Sequence, residues 1–594
     1  MSKGKKRNKG YRKWLLKHLY RQKYLVVLVI LGIFVVSLAV TIMPIIIGRI
    51  IDSVLIARDL GNLFILLVIG LIVSLTYAVM DYGTMMIGHF LGLKIEKNMR
   101  QEFFETIQLK TLSFHDNVRT GDLLAFATND VRVINTMVAH GSFFIYPFIQ
   151  IFITLYLLIE VLDYRLALLS LPFIILYFYF ILQYRKSLSP YVTNRMKKYS
   201  NLAIVLQDSI SGANVVRAFN AERLERKKFG RSVIDYKNNM IGQNIVQARY
   251  YALLILYLMI GSTLLICCFF VYQNNLTVGN LVAINILLMA LIEPTRMIHW
   301  STNDMMNGFA AASRLYTSLS KGEIETDIDT TLEWPEKFKG KIEFKNVTFT
   351  HGNEIKNPRP TLSNITFSIE PFQRVALVGP TGCGKSTLAK LILSLYEPQE
   401  GSILLDGVDI KNYPLEALRT HIGYIEQEVY LYPRTIKENI KFGKPDATEE
   451  EILKAAELAQ VDDFVKERPK GYESIVGERG IRLSGGEKQR IAIARAFLTN
   501  PKILIFDDSV SAVDSETEEK IGRAMENILR NRTTIIITHR LHTIRTSDKI
   551  IVLKHGKIVA EGKHNDLLQS SEDYRRIFGK KIAQSNMIVN RRGR

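Results

Sequence analysis

Three cysteines in 594 residues cannot build a disulfide framework: Cys267 and Cys268 are adjacent, and Cys383 stands alone in a glycine-rich turn. No metal-ligand spacing accompanies them, so all three read as reduced thiols. Acidic residues are also short, with 57 Asp and Glu against 77 Lys and Arg, a formal charge of +20. No cleavable leader is expected either. The basic stretch 3–23 runs into an apolar segment too long for a signal peptide, with no small-residue cleavage site. What is plentiful is apolar: 48% of the chain is hydrophobic. Nucleic-acid binding explains the excess of cations but not the apolar runs, so no nucleic acid is expected as partner. A membrane protein with basic cytosolic faces explains both.

About 20 consecutive apolar residues cross a bilayer, and six stretches qualify: 24–47, 63–87, 143–162, 166–182, 252–272 and 276–292. Ahead of them, YRKWLLKHLYRQK alternates basic and apolar groups at helical spacing, as an interfacial helix lying on the membrane does. The connections 54–62, 160–165 and 273–275 are short, with Arg58 and Arg165 as their cations. Those after the second and fourth stretches are long and rich in Lys and Arg, which keeps them and both termini in the cytosol. Segments 91–138 and 185–249 read as helices projecting beyond the membrane.

Charges inside spans suggest function by default. Asp81, Glu293 and Arg296 fall near the inner boundary, however, and Glu293 with Arg296 at i,i+3 satisfies itself. A structural pair is expected. The clusters Phe143-Phe144-Ile145-Tyr146 and Tyr177-Phe178-Tyr179-Phe180 are expected to pack between helices or face lipid, and they do not identify a substrate.

Near residue 322 the pattern changes. A polar linker (321–340) leads into short β-type runs at 341–349, 374–378, 503–506, 534–537 and 550–553, alternating with helical stretches. That alternation predicts an α/β domain with a largely parallel sheet. The chain thus divides into a basic leader with its interfacial helix (1–23), an α-helical six-span domain (24–320), the linker, an α/β P-loop domain (341–579) and a basic tail (580–594), the last expected to be disordered.

Gly379-Pro380-Thr381-Gly382-Cys383-Gly384-Lys385-Ser386-Thr387 fits G-x-x-x-x-G-K-[ST] between a strand and a helix. Backbone amides of such a loop cradle the phosphates of ATP, Lys385 reaches the β and γ phosphates, and Ser386 offers a magnesium ligand. Asp507 ends the apolar run ILIFD, where the magnesium carboxylate of a nucleotide-hydrolysing domain belongs. The next position normally holds the glutamate that polarises the attacking water, and here it is Asp508, one methylene shorter. Misplacing a catalytic group by about 1 Å costs roughly a hundredfold, so this site is expected to bind ATP far better than it cleaves it.

Leu483-Ser484-Gly485-Gly486-Glu487-Lys488-Gln489-Arg490 resembles the LSGGQ signature of ATP-binding cassette (ABC) proteins. Gln427 in IGYIEQ, Glu478 in VGERG, Asp514 closing SAVD, and His539 in THR resemble the family's Q-loop, X-loop, D-loop and switch histidine, in order. Segments 119–131 and 206–222 look like the intracellular loops of type IV exporters. The resemblance covers essentially the whole chain, and six spans plus one cassette make a half-transporter, so it implies two chains. It also implies that Ser484, Gly485, Gly486 and Glu487 complete the partner's ATP site, that Gln427 joins Ser386 and Asp507 around magnesium, and that His539 senses the γ-phosphate. His351 stands where the family has an aromatic residue stacking on adenine, which implies a weaker platform.

The reading that follows is a heterodimeric exporter in the cell membrane of a prokaryote, with a homologous partner that keeps the glutamate. Its cargo would be a lipophilic or amphipathic small molecule, lipid or peptide. A homodimer using Asp508 as a weak base and an ATP-gated channel or regulatory subunit are the alternatives.

Overall fold

A computed structural model describes residues 10–57, 60–159, 164–249, 251–325, 334–335, 338–352, 360–507 and 531–578. It resolves into two compact units, one of residues 1–108 and 118–321, the other of 109–117 and 322–594.

In the first unit the interfacial helix Gly10–Arg21 is two-faced. Tyr11, Trp14, Leu15 and His18 are buried at helical spacing, while Leu16 and Tyr20 are 62% and 71% exposed. Glu102 anchors the inner face: it accepts from the Trp14 indole at 3.1 Å and lies 2.8 Å from His18 Nε2. Burial opposes ionisation of Glu102, but the His18 hydrogen bond outweighs it and holds the carboxyl below its usual range.

Among the described residues, five helical stretches are long and apolar enough to cross a membrane. The remaining expected span, 166–182, falls inside the 48-residue helix Tyr164–Ser211. Helix Leu60–Gln108 runs unbroken from an expected span into an expected extension. At its far end the first span, Lys23–Asp52, caps the last one: Asp52 accepts from Thr277 Oγ1 at 2.7 Å and from the Gly279 amide at 2.8 Å. Gly48 and Gly279 allow this approach, since a Cβ at Gly279 would stand 2.1 Å from the Gly48 carbonyl oxygen.

Glu293 and Arg296 approach to 3.9 Å, the local pair their spacing suggested. Two residues of the second aromatic cluster pack between helices, while Tyr179 is 58% exposed. Phe148 stacks on Phe178, and the Tyr177 hydroxyl lies 3.2 Å from Thr295 Oγ1. On the extensions expected to project beyond the membrane, Arg314 donates two hydrogen bonds to Asp130, at 2.8 and 2.9 Å.

The second unit holds a six-stranded sheet in the order β10-β9-β3-β8-β7-β6 and a four-stranded antiparallel sheet in the order β2-β1-β4-β5. The strands are β1 Ile342–Phe349, β2 Leu362–Ile369, β3 Arg374–Val378, β4 Glu400–Leu405, β5 Val408–Asp409, β6 Ile422–Ile425, β7 Ile503–Asp507, β8 Thr533–Ile537, β9 Lys549–Lys554 and β10 Lys557–Gly562. From β9 through β6 the six-stranded sheet is parallel. The central strands β7 and β8 are buried at every position, which is why ILIF and III read as apolar runs without alternation. Three cores pack on the sheet. The first contains Phe344, Leu377, Leu388 and Ile505, the second Ile440, Ile452, Ile491 and Phe506, and the third Ala376, Ile550, Tyr574 and Phe578.

Helix Leu112–Asn117, early in the chain, belongs to this unit. Asp116 accepts from the Tyr396 hydroxyl at 2.6 Å, and the Lys110 ammonium donates to the Gly322 carbonyl at 2.9 Å. Glu325, from the expected linker, takes a two-pronged contact from Arg419 at 2.8 and 3.0 Å.

Candidate functional site

Four neighbouring parallel strands, β3, β8, β7 and β6, present their C-terminal ends side by side. In open α/β sheets ligands bind outside those ends. The phosphate loop follows β3, His539 follows β8, Asp507 closes β7, and Gln427 lies just past β6. Residues scattered over some 160 positions of sequence are thus gathered at one edge by strand order.

The loop's geometry rests on its glycines. Gly384 caps helix Lys385–Ile392 with φ +104°, a left-handed conformation, and a Cβ there would sit 2.6 Å from Leu362 Cδ2. At Gly379 a Cβ would meet the Leu553 carbonyl oxygen at 2.2 Å. Lys385, 9% exposed, donates to the carbonyls of Gly379 and Pro380 at 2.9 and 3.0 Å. Pro380, Thr381 and Gly382 form the exposed lip, while Cys383, Gly384 and Thr387 are buried. Burial pushes the Cys383 thiol up, which makes it a poor nucleophile.

Ser386 Oγ donates to Asp507 Oδ1 at 3.0 Å, and the Tyr424 hydroxyl donates to Asp507 Oδ2 at 3.2 Å. Asp507 is 3% exposed. A hydroxyl and a buried carboxylate beside a phosphate loop are the hard oxygen donors that magnesium takes, so these residues fit the ion. Gln427 lies exposed in the bend after β6, and His539 is half-buried after β8. Asp508 and Asp514 lie outside the described residues.

His351 does not stand free as a stacking platform. Its Nε2 is 3.1 Å from Thr387 Oγ1, and its ring meets Phe349 and Tyr396 edge-on at 4.8 and 5.0 Å. Burial, with help from Lys390, lowers its pKa against the pull of Asp116. Tyr396 therefore touches both His351 and, through its hydroxyl, Asp116.

The signature residues are built separately, on helix Gly485–Leu498 in the second core. Ser484 and Glu487 form a reciprocal capping box: the Ser484 amide donates to Glu487 Oε2 at 2.7 Å, and the Glu487 amide donates to Ser484 Oγ at 3.3 Å. Ser484 and Gly485 are exposed and Gly486 half-buried. Glu487 also accepts from Arg468 at 2.9 Å. Burial alone would raise the Glu487 carboxyl, but the Ser484 amide and Arg468 more than offset it and hold it below the usual range. Reading the sequence missed Arg468 and Tyr424. The charge of Glu487 was the available signal for the first, since a half-buried carboxylate at a phosphate-facing position calls for a cation nearby.

The ABC transporter transmembrane-region family matches residues 26–295, and the ABC transporter family matches residues 362–511. The chain is 32% identical to an uncharacterized ABC transporter ATP-binding protein, YwjA, of Bacillus subtilis, over 92% of this chain and 94% of the relative. It is 33% identical to the ATP-dependent lipid A-core flippase of Desulfotalea psychrophila, over 89% and 91%. Identity is also 33% to the mitochondrial iron-sulfur clusters transporter ATM1 of Saccharomyces cerevisiae, over 91% and 80%. The solved structure of a bacterial Atm1-family ABC exporter with ATP bound superimposes with a TM-score of 0.83 at 27% identity, covering 94% of this chain and 99% of the other. A helical membrane region followed by an ATP-binding cassette, matched along almost the whole length, places this chain in the ABC transporter family, as a half-transporter of the type IV, Atm1-like exporters and an ATP-driven translocase.

Proposed function

We propose that this chain is one half of a heterodimeric exporter that moves a lipophilic or amphipathic compound out of the cytosol or the inner leaflet. Its own ATP site is degenerate, and its signature completes the competent site of a homologous partner. The reading rests above all on one juxtaposition: Lys385, Ser386 and Asp507 are assembled for ATP, while the residue after Asp507 is aspartate. A general base must come within about 2.6–3.2 Å of its water, and aspartate falls short from a backbone placed for glutamate. Ser386, Asp507 and Gln427 would hold magnesium, which would supply charge neutralisation at the phosphates. Lys385 then trades loop carbonyls for phosphate oxygens, His351 supports the adenine, and His539 reports on the γ-phosphate.

A second copy of the architecture is required on this reading. Helix Ala213–Ala218 carries an exposed apolar tip, with Val215 61% and Phe219 79% exposed, suited to dock on another chain's cassette. Closure of two cassettes around ATP then moves such helices and opens the spans outward, and hydrolysis at the partner's site resets them. The lipid A-core flippases among the relatives favour a lipid-like cargo. Short outer connections with few cations favour cytosolic termini in a prokaryotic cell membrane.

The complex should purify one to one with a different half-transporter. Asp508→Ala should change its ATPase rate only modestly, and alanine at the partner's glutamate should remove most of it, a factor of about 10²–10⁴. Vigorous turnover by a homodimer, or equal silencing by the two substitutions, would overturn the proposal.

A further inference from the structure

Each oxygen of the Asp507 carboxylate has its own donor. Ser386, beside the phosphate loop, takes Oδ1 at 3.0 Å, and Tyr424 takes Oδ2 at 3.2 Å. Tyr424 sits on β6, paired with Ile505 of β7, two residues before Asp507. It stands three residues ahead of Gln427. Its ring is half-buried and packs against the first core. A carboxylate that binds a metal through one oxygen is oriented by what holds the other, and losing such an outer partner typically costs about 10–100-fold in metal affinity.

We propose that Tyr424 is a positioning residue for magnesium: its hydroxyl fixes the rotation of the Asp507 carboxylate and couples the metal site to the strand that leads into Gln427. The inference rests on the reading of Ser386 and Asp507 as metal ligands. Were Ser386 and Asp507 both to hold magnesium, their mutual bond would be given up and the Tyr424 bond would be the restraint that keeps Asp507 aimed. Without it Oδ2 is buried and unsatisfied, and the carboxylate is free to turn.

The test is magnesium-dependent nucleotide binding, which needs no turnover. The full complex in lipid nanodiscs is titrated with magnesium at fixed fluorescent ATP analogue, for the wild type, Tyr424→Phe and Asp507→Asn, with a parallel titration of the analogue in EDTA. Tyr424→Phe keeps the ring and removes one oxygen. It should raise the magnesium midpoint about tenfold or more while leaving metal-free nucleotide affinity and the apparent Tm in EDTA unchanged. Asp507→Asn should flatten the magnesium response. An unshifted midpoint for Tyr424→Phe beside a flattened response for Asp507→Asn would refute the positioning role alone. Wild-type midpoints for both would overturn the metal-site reading on which it stands. Loss of metal-free binding in Tyr424→Phe would make the residue a packing element and also refute the proposal.

Discussion

Arg468 offers a sharp test of how a carboxylate is tolerated in a signature motif. Glu487 occupies the position that glutamine holds in the LSGGQ pattern, and on the proposed function it faces the partner's ATP. An unneutralised carboxylate there would repel the γ-phosphate. Arg468, whose guanidinium also lies over the Phe464 ring, reaches it at 2.9 Å. The two side chains are 24% and 17% exposed, so solvent screens the contact only in part. A hydrogen bond between charged groups in such a setting contributes about 1.5–3 kcal/mol. Arg468→Gln should therefore lower the ATPase rate of the assembled transporter about tenfold to a hundredfold. Glu487→Gln keeps the capping box, because glutamine also accepts from the Ser484 amide, and it removes the charge that needs Arg468. In that background Arg468→Gln should cost no more than about threefold. The assay is the four-variant ATPase cycle in nanodiscs at saturating ATP. An equal Arg468→Gln penalty in both backgrounds would show that Arg468 acts through packing, and the neutralisation argument would fall.

Two further outcomes follow from contacts within single units. Tyr396→Phe deletes the hydrogen bond to Asp116 while keeping the ring beside His351. It should leave ATP binding within about threefold and reduce stimulation of ATPase by transported compound, and unaltered stimulation would dismiss that contact as a link. For the interfacial helix, the lowered Glu102 pKa means a stabilising contribution present above the unfolded value near 4.5 and lost as pH falls through the folded one. Trp14 emission in a Trp300→Phe, Trp334→Phe background should shift only in that acid window, and Glu102→Gln should remove the shift.

The phosphate loop and the Asp507 strand were legible in sequence because each is a contiguous run whose chemistry depends on local backbone. The parallel sheet was legible because strands buried on both faces must be apolar throughout. Strand order, by contrast, comes from tertiary packing, so nothing in the run IGYIEQ announces that Tyr424 will meet a carboxylate 83 residues later. The same limit hid the Asp116–Tyr396 bond, which joins residues 280 apart. For helix Gly10–Arg21 the amphipathic spacing was legible but not which way its apolar face points. Tyr11, Trp14, Leu15 and His18 face protein, so part of what reads as membrane-seeking character serves an internal contact.

Helix Leu112–Asn117 bears on how this molecule is made. It emerges from the ribosome long before the cassette, yet it is one of the pieces from which the cassette's compact unit is assembled. A cassette produced from residue 341 onward lacks the acceptor for Tyr396 and the Glu325 partner of Arg419, and so is an unfinished fold. Completion waits on a segment laid down between the second and third expected spans. The nucleotide-binding unit is thereby stitched from two stretches of chain separated by some 200 residues, and it closes only once both have been made.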